Sequence, residues 1–142
     1  MTTETNDTPE ADDPNIEAAL NMSRAVRRLY RCDGMLVEAA AKADSGDPTA
    51  AEALAKAGRQ AEIARWYVEA AELWFKREQP WKDLGRVCRN IENVESAARE
   101  ALAAIGKCRG GDAALLAKDA SGWITETTTS LAFLMDELPV MP

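Results

Sequence analysis

The side chains able to do chemistry are few in kind. The chain has no histidine. That removes the commonest general base, the Ser-His and Cys-His nucleophile pairs, and most zinc or haem ligation. Cys32, Cys88 and Cys108 lie far apart, and no Cys-x-x-Cys pair occurs. An odd, scattered set argues against a disulfide framework and against a zinc site; it points to small residues at a core margin. Carboxylates and guanidinium groups remain. Glu69-x-x-Glu72 and Glu92-x-x-Glu95 set two carboxylate pairs at helical i, i+3 spacing. Hard Mg²⁺ takes several such oxygens together with substrate phosphates. Arg24, Arg27, Arg28 and Arg31 share one helix face, flanked by Glu17 and Glu38, with Lys42 further along. Such a row is either a solvated face or a site for an acidic partner, a phosphate, or the chain's own acidic start. Asp33 falls within an apolar face, between Leu29 and Leu36. A carboxylate there needs a partner. The expectation is a buried polar residue whose ion pair or hydrogen bond fixes helix register; a perturbed functional carboxylate is the alternative.

Composition bounds what can carry these groups. A chain of 142 residues with 46% hydrophobic content makes one globular domain with a real core. No stretch approaches the ~20 apolar residues of a membrane span. The first 14 residues contain neither a basic nor an apolar segment, so a secretory signal is not expected and a cytoplasmic location is. Net charge is −7, but Glu4, Asp7, Glu10, Asp12 and Asp13 all fall in those 14 residues, which hold no Lys or Arg. Without these five the chain is within two charges of neutral. That balance argues against nucleic acid as the main partner.

The elements follow from periodicity. Residues 1–14, rich in Thr, Asp, Glu and Pro, cannot offset their ordering entropy by burial and are expected to be a disordered acidic tail. Residues 15–142 are expected to form the helical domain. A first helix over 15–43 carries Met22, Val26, Leu29, Leu36 and Ala40, with Ala25 and Val37 beside them. Gly34 is expected to mark a kink or a close helix contact. Asp44-Ser45-Gly46-Asp47 ends the helix, and Pro48 opens a second over 48–78. Gly58 is its weak point, and Pro80 stops it. A third helix over 81–107 has a seam of Leu84, Val87, Ile91, Val94, Ala98, Leu102 and Ile105. Gly110 and Gly111 are expected to cap it, with Asp112 starting a fourth helix to about 138. That helix should turn Leu116, Ala120, Trp123, Thr127, Leu131 and Leu134 inward. Four long helices with short loops predict an all-α antiparallel bundle.

The second helix is apolar on two faces. Leu54, Ala61, Ala64, Val68, Ala71 and Phe75 form one; Ile63, Trp66, Tyr67, Leu73 and Trp74 lie roughly 150° away. A helix apolar around most of its circumference is either central in a core or presents a surface to a partner. On the second reading Ile63, Trp66, Tyr67 and Trp74 anchor a partner or a second copy of the chain.

Two family resemblances attach to these residues. Trp81, Leu84, Gly85, Ala97 and Ala104, with Cys88 in a tyrosine slot, resemble one tetratricopeptide repeat. A shift of one repeat puts Gly58 at a turn and Tyr67, Ala70 and Leu73 in second-helix slots. The resemblance over 47–107 implies helical hairpins split near Gly58 and near Glu92-Asn93, and a peptide-binding concave surface. The paired Glu69/Glu72 and Glu92/Glu95 resemble the all-α nucleotide pyrophosphohydrolases, whose bundles hold magnesium on such pairs; Glu95 stands where that family has aspartate. On a helical wheel, however, Glu69 and Glu72 fall on the charged strip of their helix and Glu92 opposite the seam of its own. The sequence therefore points first to a non-enzymatic, cofactor-free interaction module, an adaptor, inhibitor or regulator, with a homodimer among its forms. Magnesium-dependent pyrophosphohydrolase and phosphate or nucleic-acid binding through the arginine row stand as alternatives.

Overall fold

A computed structural model describes residues 14–78 and 84–136 of the chain. Four helices follow in order: α1 (Pro14–Asp44), α2 (Ala50–Glu78), α3 (Gly85–Gly106) and α4 (Gly110–Asp136). No strand occurs among the described residues. The expected tail and the Trp81 end of the third helix fall outside them.

Each helix packs on its chain neighbours, and α4 closes the ring against α1. Cross-contacts fix the antiparallel register. Arg28 Nη1 donates to Gln60 Oε1 at 3.2 Å, and the Cys32 thiol to the Ala57 carbonyl at 3.2 Å, between α1 and α2. Arg65 meets Glu95 between α2 and α3. Ser121 of α4 donates to Asp33 of α1. The result is an up-down-up-down bundle.

The core is built largely from small side chains. Ala25, Ala57, Ala61, Ala64, Ala71, Ala101 and Ala120 have no exposed surface, interleaved with Met22, Leu29, Leu36, Val68, Ile91 and Leu131. Alanine favours the helix and lets helices approach closely. A close-packed alanine interior has little room for large side chains. Tyr30, Val37, Trp66, Leu73, Leu115 and Phe133 are accordingly exposed. Val37 and Trp123, both expected on or beside core faces, are 59% and 37% exposed.

Both long predicted helices are unbroken. α2 passes through Gly58, and α3 passes through Glu92 and Asn93. The hairpins implied by the repeat resemblance do not form. A β-carbon on Gly58 would sit 3.7 Å from Ala98 Cβ, an ordinary contact, so this glycine lies at a helix–helix contact and not at a turn. Gly34 corrects another expectation: a β-carbon there would meet nothing within 4 Å, so no close contact requires it.

The helix ends explain the loops. Gly46, at φ +74°, closes α1 while Asp47 N–H donates to the Lys42 carbonyl at 2.8 Å. Asp47 then accepts from the Thr49 N–H and hydroxyl at 2.8 and 2.7 Å, capping α2. The N–H donation from Thr49 is the chief cause of the lowered Asp47 pKa. After α3, the left-handed residue is Cys108, at φ +60°, not one of the expected glycines. Arg109 N–H reaches the Ala104 carbonyl at 2.8 Å and Cys108 N–H the Ile105 carbonyl at 3.0 Å, the pair of bonds that closes a Schellman motif. Gly110 and Gly111 instead begin α4.

Candidate functional site

Four arginines emerge from α1 on its solvent side. Arg24, Arg27 and Arg31 are exposed and Arg28 is half-buried. Among the described residues their hydrogen bonds join Arg24 to the Asn21 side chain at 3.4 Å and Arg28 to Gln60 at 3.2 Å. Among the described residues none of the four meets a carboxylate. Glu38, a flanking acid, is taken by Lys42 at 2.7 Å. Most of the row's donors thus have no partner among the described residues.

The second apolar face of α2 divides in two. Trp66 is 46% exposed and Leu73 67%, while Ile63 and Tyr67 are half-buried. The Arg28–Gln60 contact sets the register, so Ile63 and Tyr67 lie alongside the turn of α1 that ends at Arg24. Trp66 stands one step further out, with the Arg59 guanidinium 5.5 Å from its ring centroid. Trp74 belongs to the core instead. It is 8% exposed and meets Phe75 edge to face at 4.8 Å. Trp74 is thus not an anchor for a partner. The Arg28–Gln60 bond sets the flank of α1 that carries Arg24, Arg28 and Arg31 beside the flank of α2 that carries Gln60, Ile63 and Tyr67.

Comparison of the chain with protein-family models, with curated proteins and with solved structures returns no match.

The carboxylate pairs gather along the opposite groove, between α2 and α3. Glu95 is buried and receives two bonds from Arg65, at 2.7 Å from Nε and 3.3 Å from Nη2. Arg65 also reaches Glu69 at 3.0 Å. The Glu95 hydrogen bond, foremost, raises the Arg65 pKa and holds the guanidinium charged. Burial pushes the Cys88 thiol up to about 12, with Glu72, Glu69 and Glu92 adding to the effect. Arg65, Glu92 and Glu95 line one hollow between α2 and α3. The wheel had separated these groups; helix packing brings them to one groove. Arg65 stands among them as the counter-charge. No group of three or more Asp, Glu, Cys or His among the described residues has the geometry to hold a metal.

Asp33 is half-buried, and its partner is the Ser121 hydroxyl. Asp33 is thus not the buried residue expected of it: its hydrogen bond links α1 to α4 at the edge of the core, where water shares it. Cys32 beside it is fully buried, and its thiol is pushed up to about 12, chiefly by burial and then by Asp33. A thiol held protonated is a poor nucleophile.

Reasoning from sequence did not single out Tyr30, Leu115 or Phe133, which are 62%, 62% and 69% exposed. No helix among the described residues is long and apolar enough to cross a membrane.

Proposed function

We propose that the chain is a non-enzymatic interaction module that docks a protein partner on the α1–α2 surface. The observation carrying this reading is the row of four arginines without carboxylate partners among the described residues, near the apolar Ile63, Trp66 and Tyr67. Unpaired arginines and half-exposed aromatics are the residue types that dominate binding energy at protein interfaces. The partner chemistry follows: a segment with clustered acidic side chains for the guanidinium row and apolar side chains for the α2 strip. A net charge of −7 opposes a polyanion such as nucleic acid over the molecule as a whole. Three free thiols fit a reducing, cytoplasmic setting for such an adaptor or regulator.

The test is affinity capture from the native cell with the wild-type chain and three variants. Arg27→Glu/Arg31→Glu and Trp66→Ser should each lose the partner at least tenfold while keeping wild-type helicity. Arg89→Glu, on the exposed side of α3, should retain it. Capture of the same proteins by all four chains would refute the assignment of this face. Steep loss of a captured nucleic acid with rising salt would replace the protein partner with a polyanion.

A further inference from the structure

Of the four helices α4 carries the fewest charged residues: Asp112, Lys118, Asp119, Glu126 and Asp136. α4 contacts α1 on one side and α3 on the other. Between those contacts it presents Gly111, Leu115, Lys118, Gly122, Glu126, Thr129 and Phe133, all exposed. Their steps of four, three, four, four, three and four residues keep them in one stripe along the helix. Leu115 and Phe133 are 62% and 69% exposed. Val37 of α1 borders the stripe, lining with Ala117, Lys118 and Ser121 an apolar groove of about 410 Å³.

Gly122 has no role inside the bundle. Its backbone is helical, and a β-carbon there would meet nothing within 4 Å. Glycine weakens a helix interior, and at the midpoint of this exposed stripe Gly122 leaves room for another backbone to approach. The charges say which one. Lys118 lies four residues before Gly122 and Glu126 four after. A second α4 laid antiparallel, with the twofold axis at Gly122, sets Lys118 level with the second copy's Glu126. The same register sets Leu115 level with Thr129, and Phe133 level with Gly111, where no side chain blocks the ring. Asp112 and Asp119 fall level with Ala132 and Thr125, so no layer opposes like charges. A parallel pairing would oppose Lys118 to Lys118 and Glu126 to Glu126, which costs binding. Within one chain both groups are loosely held: Lys118 is 3.9 Å from Asp44 and Glu126 is 3.6 Å from Arg86, all well exposed.

We infer that a second copy of this chain docks on α4, antiparallel about Gly122, forming a homodimer whose Lys118 and Glu126 exchange ion pairs across the seam. The stripe from Gly111 to Phe133 runs about 33 Å, the length of a substantial helix–helix contact. This interface is separate from the α1–α2 surface and leaves that surface free in both copies.

Sedimentation velocity on the full chain, over a concentration series, tests it. The wild type should move at twice the 15.4 kDa monomer mass. Gly122→Glu, placed in open space, should leave helicity and thermal unfolding intact and weaken self-association at least a hundredfold. Lys118→Glu and Glu126→Lys should each weaken it about tenfold, and the reciprocal double variant should restore it. Arg27→Glu/Arg31→Glu should leave it unchanged. A wild type that is monomeric up to about 1 mM overturns the dimer. A dimer indifferent to Gly122→Glu, or lost instead in the arginine variant, overturns the face. Failure of the reciprocal charge swap overturns the register.

Discussion

Removing Arg65 should cost far more than removing any other described arginine. The guanidinium makes a two-bond contact with Glu95 at 2.7 and 3.3 Å, and the Glu95 side chain is only 10% exposed against 21% for Arg65. Arg65→Met leaves the carboxylate buried without its counter-charge. A fully buried pair broken this way loses about 3–5 kcal/mol, whereas an exposed pair loses about 0–1 kcal/mol. One-fifth exposure of the arginine admits some water, which places the expected loss at about 2–3 kcal/mol. The accompanying Glu69 contact adds little, because that side chain is 47% exposed. Glu95→Met should cost a similar amount. The double variant Arg65→Met/Glu95→Met removes both charges, keeps apolar volume at the α2–α3 contact, and should fall within about 1 kcal/mol of wild type. The coupling energy of the cycle is then at least about 3 kcal/mol. Urea unfolding followed by circular dichroism measures it; with a slope of about 1–3 kcal/mol per molar, each single variant should shift the midpoint by about 1 M or more. The coupling should persist in ~1 M salt, since a buried pair is screened little. A loss below about 0.5 kcal/mol for either single variant would show that water reaches the pair freely and would refute the reasoning.

Three further outcomes follow from local geometry. Cys108→Gly relieves a left-handed residue at the end of α3 and should stabilise the fold by about 1 kcal/mol, raising the melting temperature by about 3–4 °C; an unchanged or lower value would count against strain at that position. Gly110→Ala should destabilise by about 1–3 kcal/mol in the same assay, because its β-carbon would lie 2.5 Å from the Ala43 carbonyl oxygen, a backbone atom that cannot swing aside; wild-type stability would mean the α1–α4 junction gives way easily. Alkaline pH should unfold the protein progressively. Burial raises the Cys32 and Cys88 thiols from 9.0 to about 12, so both states hold the proton below pH 9. Above it the unfolded chain ionises first, and stability is lost as pH rises through that window. Urea midpoints across pH 8 to 11 should show the decline, and Cys32→Ala should flatten it; an equally steep decline in that variant would point to other groups.

Much of the architecture was legible in the chain. The seam of α3 and the buried stripe of α1 repeat at helical spacing, and Gly46, Asp47 and Pro48 carry stop and start signals that need no tertiary context. The arginine row and the second apolar face of α2 were visible because side chains on one helix keep a set angular relation. Angles between helices are another matter. Which flank of α2 meets α1 and which meets α3 depends on packing, and that choice buried Trp74 while leaving Trp66 half-exposed. The same choice set Arg28 against the flank of α2 that carries Gln60 and drew Glu69, Glu92 and Glu95 to one groove around Arg65. Capping was not legible: Cys108, not glycine, takes the left-handed turn, and Gly110 is instead the residue packed against the Ala43 carbonyl. The residue types and their periods determined the helices; only the closed ring of four, packed tightly on alanine, decided which large side chains were left facing water.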